Sequence, residues 1–141
     1  MSAGALVIRL LGPDDHALVS AAADIFDNRP IAEQTRDFLA SDRDFLWLAL
    51  LDGQPVGFVS ATSILHPDKT PHLFINELET REGFRRRGIA TRMMRAVRRH
   101  AKANGLWPVW LAAEGDDAQA IAFYRSLKDM EERGAVVFEW E

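Results

Sequence analysis

Residues 75–91, INELETREGFRRRGIAT, constrain this chain more than any other segment: an apolar strand runs into a short basic turn, and the turn opens a helix at Gly88. The first amide groups of a helix have no intrahelical acceptor, and the aligned peptide dipoles add partial positive charge there, so a helix start attracts anions. Gly88 removes a side chain where backbone must approach a phosphate, Ala90 is small for the same reason, and Arg85, Arg86 and Arg87 place positive charge around the mouth. A diphosphate fits such a turn. An ordinary strand-to-helix turn carrying solvated arginines fits it equally, and the turn alone does not separate the two.

The remaining composition narrows the class. With 141 residues, 48% of them apolar, the chain suits one domain spanning residues 1–141, with a core large enough to need no staples. It has no cysteine, which removes disulfides, thiol catalysis and thiolate zinc sites, and His16, His66, His72 and His100 show no ligand spacing, so no metal is expected. No apolar run reaches the roughly 18 to 20 residues of a membrane span, and the opening MSAGALVIRL lacks a charged leader before a long apolar stretch. A cytoplasmic protein with no membrane partner is the expectation. A net charge of −4 and the lack of aromatics among the clustered arginines argue against a nucleic-acid partner, and acidic groups elsewhere suit a cationic substrate.

Hydrophobic periodicity predicts a short strand at residues 5–10, then a helix carrying Leu18, Val19, Ala22, Ile25 and Phe26, and a second helix carrying Ile31, Phe38 and Leu39. Strand-like runs at 45–51 and 56–65 flank Asp52 and Gly53, a strong hairpin signal. Residues 73–80 alternate as a strand that would put Glu77 and Glu79 on the same side as Leu73 and Ile75. Ile89, Met93, Val97 and Ala101 recur every four residues along a helix that Gly105 stops. A strand at 107–112, a helix at 116–127 and a closing strand at 135–140 complete a mixed α/β order.

Arg85, Gly88 and Ala90 reproduce an Arg-x-x-Gly-x-Ala pattern that Ile89 and Thr91 also suit, and Ala120 and Tyr124 fall in the helix sequence AIAFYRSL. In these segments the chain resembles the GCN5-related N-acetyltransferase (GNAT) superfamily. Residues 75–141, with AEGDDAQAIAFY and the acidic end VVFEWE, are further similar to the small type I aminoglycoside 3-N-acetyltransferases. The resemblance implies a mixed sheet of about six to seven strands flanked by about four helices, splayed after its fourth strand around acetyl-CoA. It assigns cofactor contacts to Leu78, Glu79, Thr80, Arg85, Arg86, Arg87, Gly88, Ile89, Ala90 and Thr91, and in the later helix to Asp117, Ala120 and Tyr124.

Acetyl transfer to an amine needs a neutral nitrogen, a proton acceptor, donors for the developing oxyanion and an acid for the departing thiolate. By resemblance, Glu77 is the base, directly or through water, and Tyr124, the only tyrosine, is the acid. Partial burial would raise the pKa of Glu77, and its charge would hold a cationic amine. His66 and His72 near the same strand are lesser candidates for the base. An aminoglycoside, with several ammonium groups, would be met by Glu77, Glu79, Glu114, Asp116 and Glu139. The alternatives are a protein N-terminus, a lysine or a polyamine as acceptor, or a non-catalytic acyl-CoA sensor. A homodimer is expected from the resemblance alone.

Overall fold

Tight turns between apolar runs make the first half of the chain a meander. The computed structural model describes residues 4–141, so Met1, Ser2 and Ala3 of the N-terminal stretch lie outside the described residues. In chain order the elements are β1 (Leu6–Leu10), α1 (His16–Ala21), a 3-10 turn (Ala23–Ile25), α2 (Ala32–Ala40), β2 (Asp44–Leu51), β3 (Gln54–Ile64), β4 (His72–Thr80), α3 (Ile89–Ala103), β5 (Val109–Trp110) and α4 (Ala118–Ser126). The strands lie in the sheet in chain order, antiparallel from β1 to β4, and α3 carries the chain over so that β5 runs parallel to β4. Asp52 and Gly53, at φ 50° and 82°, form the expected hairpin between β2 and β3, because a tight two-residue reversal needs left-handed backbone at both positions.

Each face of the sheet has its own apolar layer. Leu46, Leu48, Leu50 and Phe58 join Val19, Ala22, Ile25 and Leu39 in one cluster, and the ring of Phe26 stacks 4.2 Å from that of Phe58. The opposite face receives α3 through Ile89, Met93, Val97 and Ala101, none more than 3% exposed. Gly57 permits that approach: a Cβ there would lie 2.9 Å from the carbonyl oxygen of Glu79 and 3.0 Å from Met93 Cε.

The chain divides into two units, Met1–Leu111, which holds the sheet, and Ala112–Glu141, which holds α4. Asp117 caps α4, its Oδ1 accepting the Ala120 N–H at 3.0 Å. Two strand expectations fail. The strand expected at 107–112 is reduced to Val109–Trp110, and residues 135–140 form no strand, leaving Val136, Val137, Phe138 and Trp140 77%, 83%, 89% and 99% exposed. Strand propensity in VVFEW becomes a strand only where a neighbouring ladder accepts it. The described residues therefore hold five strands and four α-helices, fewer strands than the expected count.

Candidate active site

An irregularity in β4 decides which way its carboxylates face. Ile75 pairs with Ala61 and Glu77 pairs with Ser60, so Asn76 is an extra residue opposite the step from Ser60 to Ala61. A bulge of this kind reverses the alternation of side chains. Glu77 and Glu79 therefore do not share a side with Leu73 and Ile75, as simple alternation predicts. Directly paired residues share a face, so the two carboxylates join Ser60 and Phe58 on the side of α1 and α2. The bulge is braced by side chains: Asn76 Nδ2 donates to Thr62 Oγ1 at 2.9 Å, and Thr62 Oγ1 donates to Asp44 Oδ1 at 3.0 Å.

Beyond the bulge, β4 is open on its second edge. β5 pairs with Leu73 and Phe74, and among the described residues no strand pairs with Ile75 to Thr80 on that side. The N–H of Arg81 donates to the Val56 carbonyl at 2.7 Å, which fixes the antiparallel alternation. Counting back, Glu79 and Glu77 bond toward β3, while the backbone groups of Leu78 and Thr80 turn into the opening. These are the two positions at which the resemblance places pairing with an extended ligand.

At the end of β4 the turn carries Gly83, Arg86 and Gly88 at φ 93°, 64° and 77°. A Cβ on Gly88 would meet nothing within 4 Å, so its left-handed backbone, and not crowding, calls for glycine. Gly88 is the N-cap of α3, and the amides of Ile89, Ala90 and Thr91 behind it have no intrahelical acceptor. Arg85 bends back to β4, with Nη2 3.0 Å from Glu79 Oε1 and Nε 3.4 Å from the Thr80 carbonyl oxygen. The guanidinium of Arg87 lies 5.1 Å over the Phe84 ring, and Arg86 is exposed. Open space before a helix start, left-handed backbone and flanking guanidinium groups fit the diphosphate of coenzyme A.

Glu77 reaches solvent, yet its pKa is raised, first by desolvation and then by the charges of Asp27 and Glu79. Asp27 escapes a reading of the sequence because it sits in the Asp27-Asn28-Arg29 break after the first helices, with no spacing that links it to β4. Asp24 in the preceding 3-10 turn holds Arg81 at 2.8 Å, which ties that segment to the end of β4. Ser60, 6% exposed and paired with Glu77, is the second position with no sequence signal. His66 and His72 pair with each other, ring centroids 4.6 Å apart, at the start of β4 and roughly 15 Å along the strand from Glu77. In the second unit Tyr124 is half-buried on α4 with its ring 5.3 Å from that of Phe123, Asp117 is engaged as the cap, and Glu114, Asp116 and Glu139 are exposed.

The sequence of residues 16–128 matches the acetyltransferase (GNAT) family. A search of curated proteins gives no significant match. Among solved structures, the chain is similar to the aminoglycoside acetyltransferase meta-AAC0020 from an uncultured soil metagenomic sample in complex with sisomicin, with 23% identity over 96% of this chain and 95% of that one and a TM-score of 0.85. It is similar to AAC(6')-Iy bound to a bisubstrate analogue of coenzyme A and acetylneamine, with 20% identity, coverage of 97% and 98% and a TM-score of 0.81. It is also similar to the ribosomal-protein-alanine N-acetyltransferase of Brucella melitensis biovar Abortus 2308, with 18% identity, coverage of 97% and 100% and a TM-score of 0.75. The aminoglycoside relative with a stated position is of the 6′ type, which corrects the expected likeness to 3-N enzymes. With the opened fourth strand and the glycine-capped helix behind it, the match establishes the chain as a member of the acetyltransferase (GNAT) family, an N-acetyltransferase that uses acetyl-CoA.

Proposed function

We propose that the protein acetylates a primary amine of a cationic small molecule, and that the acceptor is an aminoglycoside. The observation that carries this reading is the position of Glu77, turned by the bulge onto the same side as Asp27 and set beside the opening in β4. Two adjacent carboxylates attract an ammonium group and supply a base for one nitrogen once it is neutral. The aminoglycosides named with the structural relatives are molecules of that class.

Acetyl-CoA supplies an activated thioester. The protein contributes the rest: the turn from Arg85 to Thr91 receives the diphosphate, the backbone of Leu78 and Thr80 aligns the extended arm, and Glu77 takes the amine proton. Tyr124 Oη is the donor for the leaving thiolate. Glu79, ion-paired with Arg85, serves binding and orientation ahead of proton transfer.

Release of free thiol from acetyl-CoA, measured against a panel of aminoglycosides, polyamines and N-terminal peptides, tests the assignment. Turnover confined to aminoglycosides is the expected outcome. Turnover on peptides alone would move the acceptor to a protein N-terminus, and none on any amine would leave an acyl-CoA sensor.

A further inference from the structure

The chemistry above gives no task to Arg81, the first residue beyond β4. Its N–H donates to the Val56 carbonyl at 2.7 Å and its carbonyl accepts the Phe84 N–H at 3.0 Å, so its backbone is fixed on both sides. The side chain needs a separate account. With 27% of its surface exposed, it donates from Nη2 to Asp24 Oδ1 at 2.8 Å, and among the described residues its buried Nε has no hydrogen-bond partner. An N–H shut away from water and left unpaired costs stability, and an ion pair whose carboxylate is 65% exposed returns little of it. Folding stability does not account for the pair.

Its place along the strand does. Past the bulge the alternation of β4 is regular, so Glu77, Glu79 and Arg81 lie in one row on the side of α1 and α2. A segment of the same unit runs along that row. Asp24 meets Arg81, Ile25 is buried in the α1 and α2 layer, and Phe26 stacks on Phe58, whose partner in the ladder is Glu79. Asp27 is the next residue, and its charge bears on Glu77. The order along the segment is therefore the order along the row: Asp24 at Arg81, Phe26 level with Glu79, and Asp27 toward Glu77.

We propose that Arg81 is a positioning residue for the acceptor side of the site: through Asp24 it clamps the 3-10 turn and so holds Asp27 near Glu77. This role rests on the reading of Asp27 and Glu77 as the amine site, and it names what assembles that site. Two carboxylates that serve one amine also repel each other, so the segment that carries Asp27 needs a tie elsewhere. Arg81 supplies the tie from two residues beyond Glu79 and does not neutralise the pair. The charges that shift Glu77 are those of Asp27 and Glu79, and Glu79 is held by Arg85. A line of interactions from Arg81 through Asp24 and Asp27 thus joins the end of β4 to the base.

Carboxyl-labelled glutamate NMR on the full chain, with the Glu77 signal assigned through Glu77→Gln, reads the titration of Glu77 without any acceptor. Asp24→Asn, at an exposed position, and Arg81→Gln each cut the clamp and leave Asp27 in the chain. Each should move the Glu77 titration to lower pH, as far as Asp27→Asn moves it, because the same negative neighbour is lost. Arg81→Lys keeps a cation for Asp24 and should restore most of the parental midpoint. Combining Arg81→Gln with Asp27→Asn should add nothing to Asp27→Asn alone, since the two act on one interaction. With sisomicin as acceptor, the clamp variants should raise its KM about tenfold and leave the KM for acetyl-CoA near the parental value. A Glu77 titration that stays put in Asp24→Asn, shifts that add in the combined variant, or a sisomicin KM unchanged while the titration moves overturns the proposal. No turnover of sisomicin would remove the aminoglycoside reading and leave the titration to judge the clamp.

Discussion

At the level of single residues, the proposed reaction puts its acid–base chemistry on Glu77. An ordinary carboxylate is a weak base toward an amine, and desolvation followed by the charges of Asp27 and Glu79 strengthens this one. A raised pKa keeps the group protonated, and inactive as a base, to a higher pH, so kcat/KM should climb through an acidic limb above the usual carboxylate range. Glu77→Gln should lower kcat by about 10²-fold to 10⁴-fold and abolish that limb. Asp27→Asn removes a negative neighbour, so the limb should move to lower pH; a pH profile that does not move would show that Glu77 does not feel Asp27. Tyr124→Phe should reduce kcat by about 10²-fold with the KM for acetyl-CoA little changed, and parental kinetics in that variant would remove its role as the acid.

At the scale of the element, the bulge in β4 has the largest effect for the smallest change. Without the extra residue at Asn76, Glu77 would fall on the α3 side, among Leu73, Ile75 and the buried stripe of that helix. Burying a carboxylate there would be costly, so register and charge agree on the bulged strand. The chain Asn76–Thr62–Asp44 holds it in place. Thr62→Val keeps the shape but cuts both bonds, and urea unfolding should show a loss of about 1 to 2 kcal/mol together with a lower kcat. Unchanged stability and turnover would mean that strand pairing alone sets the bulge. The turn after β4 works differently: its shape is encoded locally, by left-handed backbone at Gly83 and Gly88, and Arg85 is recruited back to Glu79 as a strut.

On the scale of the whole molecule, the sheet is held between two apolar layers, and Phe58 is central to one of them. It is 1% exposed and stacked on Phe26, so Phe58→Ala should cost about 3 to 5 kcal/mol in a denaturant titration, and a loss near zero would mean that the layer collapses to fill the gap. Local patterns in the sequence were enough for the hairpin at Asp52 and Gly53, for the stripe from Ile89 to Ala101 and for the turn at Gly88, because each depends on backbone conformation or periodicity within a few residues. The family pattern in Arg85, Gly88 and Ala90, equally local, points to acetyl-CoA. Tertiary structure alone decided the side on which Glu77 lies, since a bulge is a mismatch between two strands and has no sign in either of them. It also put the charge of Asp27, fifty residues earlier in the sequence, among the causes that raise the Glu77 pKa. The tail at 135–140 marks the same boundary: its residues specify a preference for extended backbone, but a strand is a property of two paired segments, and among the described residues the tail enters no sheet.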